Sequence, residues 1–409
     1  LVVTAATVTT AINVTCAGEQ AAFQGLGNVR DGYASTAFGI SADGEIVVGA
    51  DSVEVDGDFF EEREAFQWNA DTMMQGLGDL TGGEFFSEAR STSGDGSVVV
   101  GRSENAASDM EAFRWTSDDG IEGLGSLLSD TPGVEGESEA NDINADGSII
   151  VGRSDSADGS EAFRWTESSG MESIGDLDGG FVAAAAHGVS ADGSIIVGQG
   201  DSSNGFEAFR WTQTDGMQGL GDLPGAFFSS AAFSISADGS VIVGEGRSDE
   251  GAEACRWVDG GEPEGLGDLT GGSFDSVARD VSAGGSVIVG EASDASGRAA
   301  FIWTDENGMR ALKEVLQDDH GLNLTGWLLL SAEGVSDDGG VIVGHAVNPD
   351  GDAEAFMATL PESDATCPAD ITGDDAVDVN DLLALLGAWG PCAAPCAPDL
   401  NVDESVDVN

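Results

Sequence analysis

"GLGDLPGAFFSSAAFSISADGSVIVGEGRSDEGAEACRWV", Gly219 to Val258, is one copy of a unit that recurs seven times along this 409-residue chain. Its AFxW element falls at Trp68, Trp115, Trp165, Trp211, Trp257 and Trp303, spaced 47, 50, 46, 46 and 46 residues apart. A seventh, degenerate copy carries Phe356 but has Ala358 in the Trp position. The GLGDL element starts at Gly25, Gly76, Gly123, Ser173, Gly219, Gly265 and Ala311; the ADG turn is centred on Asp43, Asp95, Asp146, Asp192, Asp238, Gly284 and Asp338.

Each unit resolves into four short strands. The first surrounds GLGDL, and the second is the SxAxxIS segment, as in Ser230 to Ser236. Asp-Gly, tolerant of positive φ, then predicts a two-residue hairpin turn into SVIVG, whose β-branched run reads as buried on both faces. The fourth strand, EAFRWT, turns Phe and Trp to one face and Ala, Arg and Thr to the other. Four strands every ~46 residues match the blade of a β-propeller, with a β-solenoid as the competing geometry. The expected fold is all-β: a seven-bladed β-propeller over 21–360, preceded by a leader remnant or disordered N-terminus (1–20), then a linker (361–366) and a small C-terminal α-helical calcium-loop module (367–409).

Composition narrows the partners. With 75 acidic against 14 basic side chains and a formal charge of −61, the chain is repelled by nucleic acid and anionic membranes and attracts divalent and cationic ligands. The plainer reading of the charge is solvation in salt or in a calcium-rich exterior. No run reaches the roughly 18 to 20 apolar residues that span a bilayer. The first eighteen residues, small and uncharged, read as the remainder of a secretory signal or as a simple apolar strand. With no initiator Met, the chain reads as processed or as a fragment.

The repeat pattern over 23–360 resembles the HAF family of bacterial extracellular repeats, named for a His-Ala-Phe triplet. Here the His position holds Glu64, Glu111, Glu161, Glu207, Glu253 and Glu354, with Ala299 in the sixth copy. The resemblance implies an extracellular location and brings no settled activity with it.

Residues present in every copy hold blades together more readily than they catalyse, because one active site needs one constellation. Arg114, Arg164, Arg210 and Arg256, four of fourteen cations at one strand position, are expected to fork onto carboxylates of their own or the neighbouring blade, such as Asp176 or Asp222. GLGDLTGG at Gly76 has the wrong spacing for a dinucleotide fingerprint and no following helix. No G-x-S-x-G, phosphate-loop or HExxH motif occurs. His187, His320 and His345 lie in different repeats and read as rim or packing residues. No catalytic residue is assigned and no enzyme activity is expected. The copies differ in their loops: Asp51 to Phe66 places Phe59 and Phe60 among carboxylates, a contact surface or a local staple. The Leu312 to Leu330 insertion is expected to hold a helical turn and Trp327 as a plug near the ring closure.

The C-terminus changes character. DITGDDAVDVND sets oxygen donors at loop positions one, three, five, nine and twelve, Asp370, Thr372, Asp374, Asp378 and Asp381, with the Ala376 carbonyl at seven. Such spacing wraps a hard cation with six to eight oxygens, calcium above all. Asp375 stands at position six, the usual place of Gly. This segment resembles the cysteine-containing type I dockerin modules of planctomycete surface proteins, which carry two EF-hand-like loop-helix copies. A second, incomplete loop aligns at Asp399, Asn401, Asp403, Ser405 and Asp407. The resemblance implies a cohesin-like or other surface protein as partner. Cys367, Cys392 and Cys396 flank the first loop-helix as disulfide candidates, with a zinc site as the alternative. Cys255 replaces the repeat Phe as a small buried hydrophobe, and Cys16 belongs to the leader.

The expected function is a secreted or cell-surface binding or structural propeller attached through a calcium-dependent module, its loops taking a glycan or protein ligand. A polysaccharide-degrading enzyme and a surface-layer component are the alternatives.

Overall fold

The computed structural model describes residues 20–29, 34–54, 61–128, 136–225, 227–361, 390–391 and 405–406. Ala21–Leu360 forms one compact unit. In the other unit, Gly390–Pro391 pairs antiparallel with Ser405–Val406.

Strands β1 (Ala22–Gly25), β2 (Ala34–Ile40), β3 (Val47–Glu54), β4 (Glu61–Asn69) and β5 (Met73–Gly78) open the chain. β2 to β5 pair antiparallel in sequence order, and the same four-strand meander recurs over 82–123, 138–173, 179–219, 231–267 and 271–311. Leu328–Val335, Val341–Val347 and Ala353–Thr359 supply three more strands, and their fourth is β1, which pairs Phe23 with Ala358 and Gly25 with Phe356.

Neighbouring units meet through one-residue parallel bridges, Arg63 to Phe86, Ser160 to Ala183 and Ala252 to Asp275. Ala34 makes the same bridge to Ala353, so the last unit meets the first as any other pair does. A belt of backbone hydrogen bonds follows the same course: Ala42 N–H to Gly94 O, Gly94 to Ala145, Ala145 to Ala191, Ala191 to Ala237, Ala283 to Asp337, and Asp337 back to Ala42.

The hydrophobic core lies between sheets. Val48 and Ala65 of one unit pack with Ala89, Val99 and Phe113 of the next, and the closing junction sets Val343, Ala355 and Met357 against Ala37, Val47 and Phe66. The repeat valines are buried on both faces, as a continuous apolar strand requires. Cys255 fills the Phe position, fully buried, and Trp257 beside it donates its indole N–H to Leu220 O at 3.0 Å.

Two polar clasps explain the repeat letters. The Ser87 hydroxyl donates to Gly78 O at 2.6 Å and accepts from Ala65 N–H at 2.9 Å, tying one unit to its predecessor; Ser35, Ser138, Ser230 and Ser276 repeat the arrangement. The Glu64 carboxylate accepts from Gly78 N–H at 3.2 Å and lies directly over Gly76, where a Cβ would sit 2.3 Å from its Oε1.

The hairpin differs from expectation. Ser41 N–H bonds Ile46 O, leaving four residues in the loop. The Asp43 carboxylate accepts from the Ser41 hydroxyl at 2.6 Å and Glu45 N–H at 3.0 Å. These side-chain bonds stabilise a longer turn than Asp-Gly alone would, with Gly44 at φ +76°. The last insertion does contain a helical turn, α1 (Leu312–Glu314), continuing as a wider turn over Val315–Asp319.

Candidate functional site

The innermost strand of each unit carries a completely buried alanine: Ala37, Ala89, Ala140, Ala186, Ala232, Ala278 and Ala332. Small side chains let these strands converge. In every unit the next residue along is the unpaired residue of a β-bulge, which re-aims its side chain. At that position stand Phe38, Arg90, Asn141, His187, Phe233, Arg279 and Glu333, all lining one cavity of about 240 Å³. The copies agree in their packing residues and differ here.

Two charge networks flank the cavity. Glu88, 1% exposed, takes Arg63, Arg90 (3.0 Å) and Arg102 (2.7 Å); Arg102 continues to Glu139 at 2.7 Å, which also accepts from Arg153 at 3.2 Å. Opposite, Glu291 takes Arg279 at 2.6 Å and Arg298 at 2.8 Å. Six of the chain's fourteen basic side chains therefore serve these networks. Burial would raise the Glu88 carboxyl, but Arg63, Arg90 and Arg102 outweigh it and hold it below the usual range. Arg90 stacks over Phe38 and Arg279 over Phe233, each 5.2 Å from the ring centre.

Deeper in the cavity, Asp142 accepts from the Ser91 hydroxyl at 2.7 Å and Val189 N–H at 2.8 Å, bridging three successive units. Asp280 repeats this with Ser234 at 2.6 Å and Val335 N–H at 2.9 Å. Burial pushes both carboxyls up to about 6, against the hydrogen bonds they accept. His187, packed 5.5 Å from the Phe233 ring, is pushed down to about 4 by burial and by Arg279. The site therefore offers fixed guanidinium, amide and imidazole donors beside carboxylates that balance them. Such an arrangement holds a polar ligand by hydrogen bonds; among the described residues no cluster of side chains suited to a metal occurs.

The site residues named from sequence fall elsewhere. Phe59, Phe60, Cys16, Cys367, Cys392 and Cys396 lie outside the described residues, as do Asp370, Thr372, Asp374, Ala376, Asp378, Asp381, Asp399, Asn401, Asp403, Asp407 and the side chain of Ser405. Trp327 is half-buried, its ring edge-on to Phe23 at 5.0 Å, and Phe23 stacks on Phe356 at the closing junction. The expected pairing of the strand arginines with Asp176 or Asp222 is not found. Arg256 instead pairs with Glu264 at 3.2 Å and Asp305 at 3.0 Å. Asp222 caps its own loop, accepting from Leu223, Ser229 and Arg247 N–H groups at 2.7 to 2.8 Å. His187, read as a rim or packing residue, packs against Phe233 and lines the cavity. Comparing the seven copies at the residue after the alanine would have exposed the column.

No family model matches the chain, and no curated protein matches it. Solved structures do. The chain is similar to an oligogalacturonate lyase from Vibrio parahaemolyticus, at 13% identity and TM-score 0.50 over 87% of this chain and 98% of that one. It is similar to the β-propeller domain of the Trilobed protease from Pyrococcus furiosus, at 12% identity and TM-score 0.50 over 82% of this chain and 100% of that domain. It is also similar to puromycin hydrolase, at 14% identity and TM-score 0.52 over 83% of this chain, spanning 55% of that protein's length. Ala21–Leu360 is thus a β-propeller. At these identities the likeness concerns the fold alone.

Proposed function

We propose that the chain is a seven-bladed propeller acting as a binding module, with ligand recognition in the axial cavity and no catalysis. One observation carries this: the residue after the buried alanine takes five types across the seven copies while its surroundings repeat, and all seven such residues face a single cavity. Repetition serves the ring, and variation at its axis serves one ligand. The arginines and carboxylates there already neutralise one another, which suits positioning of a polar ligand such as a glycan more than proton transfer.

The C-terminal segment is proposed as a dockerin-like module attaching a secreted or cell-surface protein of the HAF type to a cohesin-like or other surface protein. Its donor set is chemically suited to calcium: Asp370, Thr372, Asp374, Asp378 and Asp381 bring five side-chain oxygen groups, and Ala376 a carbonyl. The second loop, from Asp399, supplies a partial set.

A glycan array combined with hydrolysis assays tests the axial site. Binding that Asn141→Ala removes, without product release, is the expected result; product release would instead favour the polysaccharide-degrading enzyme, and regular assembly without any ligand the surface-layer component. Calorimetric calcium titration of the full chain is expected to show one dominant site. Absence of binding at millimolar calcium overturns the module without touching the axial reading.

A further inference from the structure

In the fifth unit the strand arginine is fully used. Arg256 Nε bonds Glu264 of its own unit, Nη2 bonds Asp305 of the next, and the guanidinium carbon lies 4.7 Å from the Trp303 ring centre. The equivalent Arg114, Arg164 and Arg210 have no ion pair or hydrogen-bonded side-chain partner among the described residues. Three unpaired guanidiniums at one register position need a reason in a chain with 75 acidic residues.

Asp305 lies two residues after Trp303; the same place is held by Glu167, Gln213 and Asp259 beside Arg114, Arg164 and Arg210. Arg114 and Arg210 stay unpaired beside a carboxylate at the place of Asp305; Arg164 alone lacks one. Beside Arg164 the cross-unit carboxylate has become a neutral amide. There Arg164, Arg210, Gln213 and the half-buried Trp211 line one cleft of about 450 Å³ at the junction of the third and fourth units. It holds two guanidiniums, an indole and the Asp215 carboxylate, which accepts from the Thr212 hydroxyl at 3.0 Å and pairs with neither arginine; the carboxylate that Asp305 supplies beside Arg256 is absent.

We infer that this cleft binds a small carboxylate-bearing ligand. The carboxylate takes the place against Arg164 that Asp305 takes against Arg256, with Arg210 as second donor, and the body of the ligand lies on Trp211. The ligand is a uronate sugar or a free organic acid; both bring the same group. The net charge of the chain opposes an approaching anion, but at about 0.15 M salt that repulsion fades beyond ~8 Å, whereas the guanidinium contacts act at hydrogen-bond range.

The test is titration of the full chain with galacturonate and with benzoate, followed by tryptophan fluorescence and calorimetry, with galactose and benzamide as uncharged controls. Saturable binding near ~1 mM is expected for at least one acid and for neither control. A response to galacturonate alone assigns the site to sugars, and an equal response to benzoate assigns it to free acids. Arg164→Gln should weaken binding about tenfold, one charge-assisted hydrogen bond's worth. Gln213→Asp should weaken it at least as much, because it sets a second carboxylate beside Asp215 in the cleft. Absence of binding up to ~50 mM acid, or binding that survives both Arg164→Gln and Gln213→Asp, overturns the inference.

Discussion

Glu354 accepts a hydrogen bond at 3.1 Å from the backbone N–H of Gly27, 327 residues earlier in the chain. The same bond joins Glu64 to Gly78, Glu111 to Gly125, Glu207 to Gly221 and Glu253 to Gly267. In each case the carboxylate lies over the first glycine of the Gly-Leu-Gly element, where a Cβ would come within 2.2 to 2.3 Å of Oε1. The exceptions obey the same geometry. Ala311 occupies that glycine's place in the one copy where Ala299 replaces the glutamate, and Ser173, which has a Cβ, donates its hydroxyl to Glu161. The repeat glutamate is therefore a structural clasp.

That pairing predicts a coupling. Gly219→Ala should destabilise the propeller by about 1–3 kcal/mol, because the methyl displaces Glu207. Glu207→Ala should cost about 1–3 kcal/mol by leaving Gly221 N–H without its acceptor. The double variant should lose at least ~0.5 kcal/mol less than the sum, since no carboxylate remains to clash. Denaturant unfolding of the four proteins measures the cycle, and strict additivity would show that the two side chains do not share one space.

The serine clasp makes a simpler prediction. Ser87→Ala removes the only side chain joining Ala65 N–H to Gly78 O in a buried junction, so a loss of about 1–3 kcal/mol is expected. The fourth unit has Ala184 at this place, 3% exposed. Ala184→Ser should stabilise by about 1 kcal/mol, because a hydroxyl there can make the bonds its equivalents make. Thermal melting of both variants checks the pair, and a neutral Ser87→Ala would remove the clasp from the account.

Much of this architecture was legible. Asp-Gly beside Val-Ile-Val-Gly at ~46-residue intervals specifies hairpin after hairpin, because positive φ and two-sided burial each restrict the residue choice. Phe66 and Trp68 fall on one face of β4 and Ala65 on the other, as strand alternation requires. The axial column was not legible in any single copy, because Arg90, His187 and Phe233 are unremarkable singly; only comparison of the copies at the residue after the alanine exposes it. Nor could sequence say that Asp222 would cap its own loop rather than meet Arg210, since an acceptor's choice between a backbone N–H and a guanidinium depends on loop geometry. The four-residue turn was missed because the Asp43 carboxylate, not Gly44 alone, fixes the loop.

The strand arginines should differ in worth. Glu264 and Asp305 are 61% and 73% exposed, so the ion pairs of Arg256 are screened and contribute little; its stacking on Trp303 is the larger part. Arg256→Met should cost about 1–2 kcal/mol and Arg210→Met, which breaks no such contact, at most about 0.5 kcal/mol. Equal losses in the two, measured by chemical unfolding, would show that Arg256 acts through its aliphatic stem alone.

Acidity should act on the axis in two opposed ways. Asp142 and Asp280 have carboxyls raised to about 6 from an ordinary 3.8, so between roughly pH 4 and 6 the folded chain holds protons that the unfolded chain has released. Their contribution is fully present below pH 4 and is lost as pH rises through 6, at up to about 3 kcal/mol each. His187 is lowered to about 4 from 6.5, so the unfolded chain takes up its proton first and this contribution is lost as pH falls through the same window. Two carboxyls against one imidazole leave a net gain on acidification from pH 7 to pH 5. The melting temperature should therefore rise over that interval, more steeply in His187→Gln, where the opposing group is gone. In the Asp142→Asn, Asp280→Asn double variant the rise should shrink or reverse, because His187 is then opposed in the cavity chiefly by Asp337, whose carboxyl burial also raises. Repulsion among the many surface carboxylates also eases on acidification, but it is common to all three proteins and cancels when their curves are subtracted. Parallel curves in all three would mean that the axial groups titrate as they do in the unfolded chain.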